Sequence, residues 1–258
     1  MILVLHIGNT DIAIGAYDGG ELRFSAEIST ESRRSADEYA VLFAQIFALR
    51  QFPAEQITDV ILSSVVPSLT DTVRAAVAAF TPQKPILVGA GIRTGLKLRV
   101  DVPAQLGADL VALACGARSY SQAGVCVIAQ LDTATTLTVL SAPDEIAGVV
   151  IMPGVASSAA ALERDTAQLT EISLTPPRRV IGKNTADAVR AGLLIGCAAQ
   201  LDGLVERIAS ELAVSPDAMT LLAVGKYAQK ITPLCCHTFR CVPHLLFEGL
   251  LDIYRRNT

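Results

Sequence analysis

Residues Gln130-Leu131-Asp132-Thr133-Ala134-Thr135-Thr136 form a hydroxyl-rich turn at the end of an apolar run. Hydroxyls so placed can wrap a phosphate, and glycine is the residue that lets a backbone approach one closely. Here Asp132 stands where such a loop wants glycine. A second loop, Leu5-His6-Ile7-Gly8-Asn9-Thr10, has the same character. Its apolar strand runs into Gly8, Asn9 and Thr10, whose backbone N–H groups and hydroxyl are expected to face an anion, with His6 at the mouth.

The elements that must position these loops follow from periodicity. Short β-like runs at 2–7, 12–17 and 22–28, with Asp18-Gly19-Gly20 as a hairpin turn, predict three antiparallel strands. Ser35 followed by Glu38 is a capping box opening a helix through Leu49. A strand at 59–63, a helix at about 69–80 and a strand at 85–88 give the order β-β-β-α-β-α-β, and 103–120 reads as a further apolar helix. The second half restarts with strands at 125–131, 135–140 and 146–151, then helices at 156–164 and 184–211, a strand at 220–224 and a helix at 243–254. Two lobes built alike suggest an internal structural duplication without a residue-level repeat. The boundary is placed near 121–124, giving lobes 1–122 and 123–258.

Composition narrows the class. The chain has 258 residues, 51% hydrophobic and 18% charged, enough for a sizeable core and two modest lobes. A net charge of −4 offers no basic face for nucleic acid, and no partner of that kind is expected. The first residues lack a basic leader, and the most apolar stretch, 191–199, falls short of a membrane span, so a cytoplasmic protein with no membrane partner is expected. Six cysteines without a C-x-x-C pair read as free thiols, mostly buried. Adjacent Cys235, Cys236 and His237 chelate poorly together, so no metal is assigned to them.

In order, Ile7-Gly8-Asn9-Thr10, Ser63-Ser64-Val65-Val66-Pro67, Pro103-x-x-Leu106-Gly107-Ala108-Asp109, Thr133-Ala134-Thr135-Thr136, Pro153-Gly154, Gly182-x-Asn184-Thr185 and Glu248-Gly249-Leu250 resemble the type III pantothenate kinase family across nearly the whole chain. The resemblance implies an α/β fold of two ribonuclease-H-like, actin-like lobes, each with a mixed five-stranded sheet, and ATP in the cleft. It further implies phosphorylation of pantothenate as the first step to coenzyme A, a homodimer formed through the second half, and a divalent metal (Mg²⁺) with a monovalent cation. Carried over by motif, Asp109 is the general base toward the pantothenate hydroxyl, a role suited to a carboxylate within reach of a primary alcohol. Gly8, Asn9 and Thr10 match the first phosphate loop, Thr133, Thr135 and Thr136 the second, and Gly225 the late adenosine loop. Gly107, Asp109 and Thr185 match the substrate side, Thr185 reaching over from the partner subunit. Ordinary structure explains the same residues otherwise: an Asp serving a helix dipole, plain strand-turn-strand hairpins, and a helix N-cap at Asn184.

Departures from the family pattern sit at the chemistry. His6 replaces the aspartate of the first loop, and imidazole is a poor ligand for magnesium, which takes oxygen. Gln130 and Asp132 replace the acid and glycine of the second; these two are the candidate metal ligands. Leu110 stands for an arginine, Val100 for a tyrosine, Val149 for a glycine, and Lys226 for the second glycine of the late loop, where it either blocks the nucleoside pocket or pairs with a phosphate. Gly192, Gly196 and Gly203 mark a helix face for close packing, either within one subunit or across a dimer seam. Scaffold retained and chemistry altered reads as a family member impaired in, or lacking, kinase activity, binding a ligand or an active paralogue. The alternatives are an active pantothenate kinase with relocated carboxylates and a kinase for another small alcohol.

Overall fold

A computed structural model of the chain describes residues 1–121, 124–165 and 173–258. In chain order its elements are β1 (Ile2–Ile7), β2 (Asp11–Asp18), β3 (Glu21–Ser29), α1 (Ala36–Leu49), β4 (Asp59–Ser64), α2 (Pro67–Val77) and β5 (Ile86–Leu87). Then come β6 (Lys97–Leu98), α3 (Ala108–Ala117), β7 (Cys126–Leu131), β8 (Ala134–Ala142), β9 (Glu145–Pro153) and α4 (Val155–Asp165). The last are α5 (Thr185–Arg190), α6 (Gly196–Glu211), β10 (Thr220–Val224), α7 (Ala228–Ile231), β11 (Arg240–Cys241) and α8 (Leu245–Asn257). They form two compact units: Met1–Gly95 with Ala104–Gly116 and Leu246–Thr258, and Leu96–Pro103 with Ala117–Leu245. The junction expected at 122/123 lies outside the described residues. Unlike the simple halves expected, the C-terminal helix belongs to the first unit and residues 96–103 to the second.

In the first unit the sheet order is β3-β2-β1-β4-β5, β1 running antiparallel to β2 and parallel to β4. Alternation along β1 puts Leu3, Leu5 and Ile7 into a core closed by Tyr39, Phe43 and Phe47 of α1, residues four apart and therefore on one helix face. The capping box forms as expected: Glu38 N–H donates to Ser35 Oγ at 3.3 Å, and Ser35 N–H to Glu38 Oε2 at 2.7 Å. These Ser35 bonds hold the Glu38 carboxyl below its ordinary pKa. Helix α2 starts two residues before the expected 69, with Pro67 in its first turn, where proline's missing N–H costs nothing. The helix expected over 103–120 is shorter: a tight turn at Pro103–Gln105 precedes α3, and Gly107 separates the two. A Cβ at Gly107 would collide with Asp109 Oδ1.

In the second unit the order is β11-β10-β7-β8-β9-β6. Taken from β9 to β11 this repeats the first sheet strand for strand, in agreement with the expected duplication, but the sheet has six strands rather than five. The extra edge strand, β6, pairs in parallel with β9 and is pinned by ion pairs of Lys97 with Asp144 at 3.4 Å and of Arg99 with Glu145 at 3.0 Å. Leu201, Val205 and Ile208 of α6 pack with Val127, Ala129 and Leu137 of the sheet. Residues Ala191–Ile195 form a π-helical turn that joins α5 to α6 in one continuous helix from Thr185 to Glu211, 27 residues long. By length and composition that helix passes for a membrane span, unlike the short apolar stretch expected; its stripe of core contacts makes it the central helix of this unit. A Cβ at Gly192, Gly196 or Gly203 would meet nothing within 4 Å among the described residues, so these glycines serve no close packing against them.

All six cysteines are free; Cys115, Cys126 and Cys197 are buried, Cys235 and Cys241 half-buried and Cys236 exposed. Burial pushes the Cys126 thiol up to about 12. Asp202 accepts from the N–H groups of Cys236 at 2.7 Å and His237 at 3.0 Å, and His237 Nε2 meets Glu206 at 2.9 Å, so this segment is a loop anchored to α6.

Candidate functional site

The candidate residues gather into local clusters within each unit. In the first, His6 closes β1 and is only 7% exposed; its Nδ1 lies 2.9 Å from Oγ of Ser63, which is fully buried one strand away in the parallel register His6↔Ser63. That pairing links two of the sequence motifs. The turn after β1 differs from the expected anion cradle. Gly8 N–H donates to Asp11 O at 2.9 Å and so closes the turn on itself, while Thr30 donates to Gly8 O and Thr10 O at 2.7 and 2.8 Å. Glycine is needed at position 8 because a Cβ would stand 2.9 Å from Asp11 O. Asn9 and Thr10 remain exposed.

Asp109 lies half-buried in the first turn of α3, its carboxylate folded back over Gly107, which explains that glycine. Leu110, at the family's arginine position, is 6% exposed and faces inward. Val100 is half-buried just after β6.

In the second unit the β7–β8 hairpin turns at Asp132 and Thr133. Strand alternation divides the threonines. Thr135 shares parity with the core residues Leu137 and Val139 and lies beside the Cys197 thiol, whose pKa burial raises and this neighbour lowers in part. Its hydroxyl lacks the geometry of a full hydrogen bond there. Thr136 sits on the opposite face, paired across the ladder with Gln130; Thr136 Oγ1 and Gln130 Oε1 are buried without a hydrogen-bond partner among the described residues. Val149 lies opposite Thr138 on β9.

The hairpin tip is gripped from two sides. Gly154, just past β9, packs so closely on the carbonyls of Asp132 and Thr133 that a Cβ there would collide with both, and Ser157 donates to Thr133 O at 2.7 Å. On the other side Asp132 Oδ1 accepts from Lys226 N–H at 2.8 Å, and Tyr227 N–H donates to Leu131 O at 3.1 Å. Gly225 has φ +96°, and a Cβ there would stand 2.7 Å from the Asp132 carboxylate. Sequence reasoning noted Gly225, Lys226 and Asp132 separately and missed that they meet; no local signal joins residues 94 apart. Asn184 caps α5 by accepting from Asp187 N–H at 2.8 Å, leaving Thr185 exposed at its first turn.

The groups implied by the family can be tested against these atoms. Thr136, a buried hydroxyl with no hydrogen-bond partner among the described residues, suits a phosphate oxygen of ATP. A protein-held Mg²⁺ does not fit: His6 offers nitrogen, Gln130 no charge, and the Asp132 carboxylate is engaged by Lys226 N–H. Among the described residues no group of three or more His, Cys, Asp or Glu could hold a metal ion.

Comparison with known proteins agrees with the motifs. The family model for type III pantothenate kinase matches residues 2–207. A type III pantothenate kinase of Streptomyces avermitilis is 37% identical over 262 residues, covering 100% of this chain and 98% of that protein. One of Roseiflexus castenholzii is 38% identical, covering 100% and 99%. Among solved structures, component A of (R)-2-hydroxyglutaryl-CoA dehydratase from Acidaminococcus fermentans matches with a TM-score of 0.55 at 11% identity, covering 98% of this chain and 96% of that one. That likeness bears on fold alone and agrees with the two-lobed, actin-like α/β architecture. Matched along its full length by relatives of one name, the chain belongs to the type III pantothenate kinase family.

Proposed function

We propose that the protein transfers a phosphoryl group from ATP to the primary hydroxyl of pantothenate, as a cytoplasmic homodimer, with turnover lowered by its altered phosphate loops. The observation that carries the reading is Asp109, a half-buried carboxylate in the first turn of α3 that folds back over Gly107. Asp109 accepts the proton of the attacking alcohol, a contribution of typically ~10²–10⁴-fold. Thr136 donates to a phosphate oxygen, and ATP supplies the phosphoryl group. The seam of the dimer is assigned to the helix face of Gly192 and Gly196, where the described residues leave open space.

A second reading is a member that binds pantothenate or an active paralogue without turning over. It is favoured by His6 and Gln130, neither of which is a carboxylate, and by Asp132, whose Oδ1 is engaged by Lys226 N–H. One coupled assay of ADP release with pantothenate separates the two. Under the first reading wild type turns over and Asp109→Asn falls by about 10²–10⁴-fold with nucleotide binding nearly unchanged. Inert wild type beside an active His6→Asp, Gln130→Asp, Asp132→Gly variant selects the second. Equal rates for wild type and Asp109→Asn would remove Asp109 from the mechanism.

A further inference from the structure

Three successive amides follow β10, and each is already occupied. Lys226 N–H donates to Asp132 Oδ1 at 2.8 Å, Tyr227 N–H to Leu131 O at 3.1 Å and Ala228 N–H to Gly225 O at 3.1 Å. Two of the three acceptors are backbone carbonyls. The third is a carboxylate, and it comes from the tip of the hairpin whose hydroxyls suit phosphate.

We infer that Asp132 is a built-in anion that occupies the place of a nucleotide phosphate at the β7–β8 hairpin, so that nucleotide must displace the carboxylate from Lys226 N–H in order to bind. The inference rests on the nucleotide reading above and gives it a regulatory device. A carboxylate and a phosphate present the same kind of acceptor, an oxygen carrying negative charge, and a charge-assisted bond to a backbone N–H is stronger than a neutral one. Besides that bond, close packing keeps the Asp132 side chain at this place. Its Cγ and Oδ2 stand 2.7 Å from where a Cβ of Gly225 would be, and Gly225 adopts φ +96°, a conformation that side-chain-bearing residues rarely take. From the other side the hairpin backbone is packed against Gly154 and bonded by Ser157. With glycine at position 132, Lys226 N–H would lose this acceptor and the negative charge would leave the hairpin. Both changes favour an incoming phosphate oxygen.

The test is binding of ADP to the full chain in the presence of a metal chelator, for wild type, Asp132→Gly and Asp132→Asn. Asparagine keeps the shape and an acceptor oxygen but removes the charge, and it guards against a glycine variant that merely loosens the hairpin. Amide exchange at Lys226, followed in parallel, reports the contact independently of turnover. The expected result is that Asp132→Gly binds ADP about tenfold or more tightly than wild type, which is about 1.4 kcal/mol. Asp132→Asn should lie between them, and the Lys226 amide should exchange faster in free Asp132→Gly than in free wild type, and slow again when ADP binds Asp132→Gly. Equal or weaker ADP binding by both folded variants overturns the inference, as does a Lys226 amide that is indifferent to residue 132. Tighter binding without turnover by any variant keeps the inference and removes the kinase reading. Turnover by wild type without tightening in the variants does the reverse.

Discussion

The β1–β2 and β7–β8 turns hold corresponding places in two sheets of the same strand order, yet they are secured by opposite means. The first is closed by its own sheet: Gly8 bonds Asp11, Thr30 just past β3 bonds both sides of the turn, and the buried His6 leans on Ser63 of β4. The second is charged and held by elements beyond its hairpin, with Gly154 and Ser157 on one side and Gly225 and Lys226 on the other. The same motif placement therefore yields a stiff, self-satisfied turn in one unit and a turn dependent on remote contacts in the other.

Substitution at Gly225 tests that contrast most severely. Gly225→Ala combines a left-handed backbone penalty of about 1–2 kcal/mol with overpacking against the Asp132 carboxylate and the Leu131 carbonyl of about 1–3 kcal/mol. Chemical denaturation should show the loss. An unchanged midpoint would mean that the hairpin does not rest on Gly225, and the contrast would collapse.

Ser63→Ala probes the first turn. It removes the bond to His6 Nδ1 inside a fully buried environment and should cost about 1–2 kcal/mol by the same measurement. A loss as large as that at Gly225 would show the two turns to be equally dependent on single contacts. Ser157→Ala is the mildest case. It deletes one exposed side-chain bond to Thr133 O, worth about 0.5–1.5 kcal/mol, while Gly154 still packs on the same carbonyl. A larger effect would show that the hydroxyl, and not the close packing, positions the hairpin.

What the sequence made legible follows the range of the forces involved. The capping box of Ser35 and Glu38, the Gly19-Gly20 turn and the core stripe Tyr39, Phe43, Phe47 all act within a few residues, and each could be read directly. Strand β6 could not, because Lys97–Leu98 is a strand only by virtue of Asp144, Glu145 and Ile146 beside it. The π-helical turn at Ala191–Ile195 leaves the apolar pattern intact and so left no trace in it. Among the site residues, Gly107 and Asp109 are neighbours in sequence and were read as a pair. The meeting of Asp132 with Gly225 and Lys226 was not, since it depends on β7 and β10 lying side by side. The divided faces of Thr135 and Thr136 were implicit in strand alternation, which the phosphate-loop resemblance had overshadowed.

Helix α8 gives the first unit an order of assembly in time. Its Phe247 ring lies 3.1–3.3 Å from where a Cβ on Gly15 of β2 would stand, and Gly249 sits so close to the backbone of Ala112 in α3 that no side chain is tolerated. Yet the ribosome makes all of residues 118–244 between α3 and α8. At synthesis rates of ~5–20 residues per second the N-terminal sheet waits roughly ten seconds with its docking face for α8 uncovered. At the end of that interval the second unit has all its residues while the first, begun earlier, still lacks α8, so the unit started first is the one finished last.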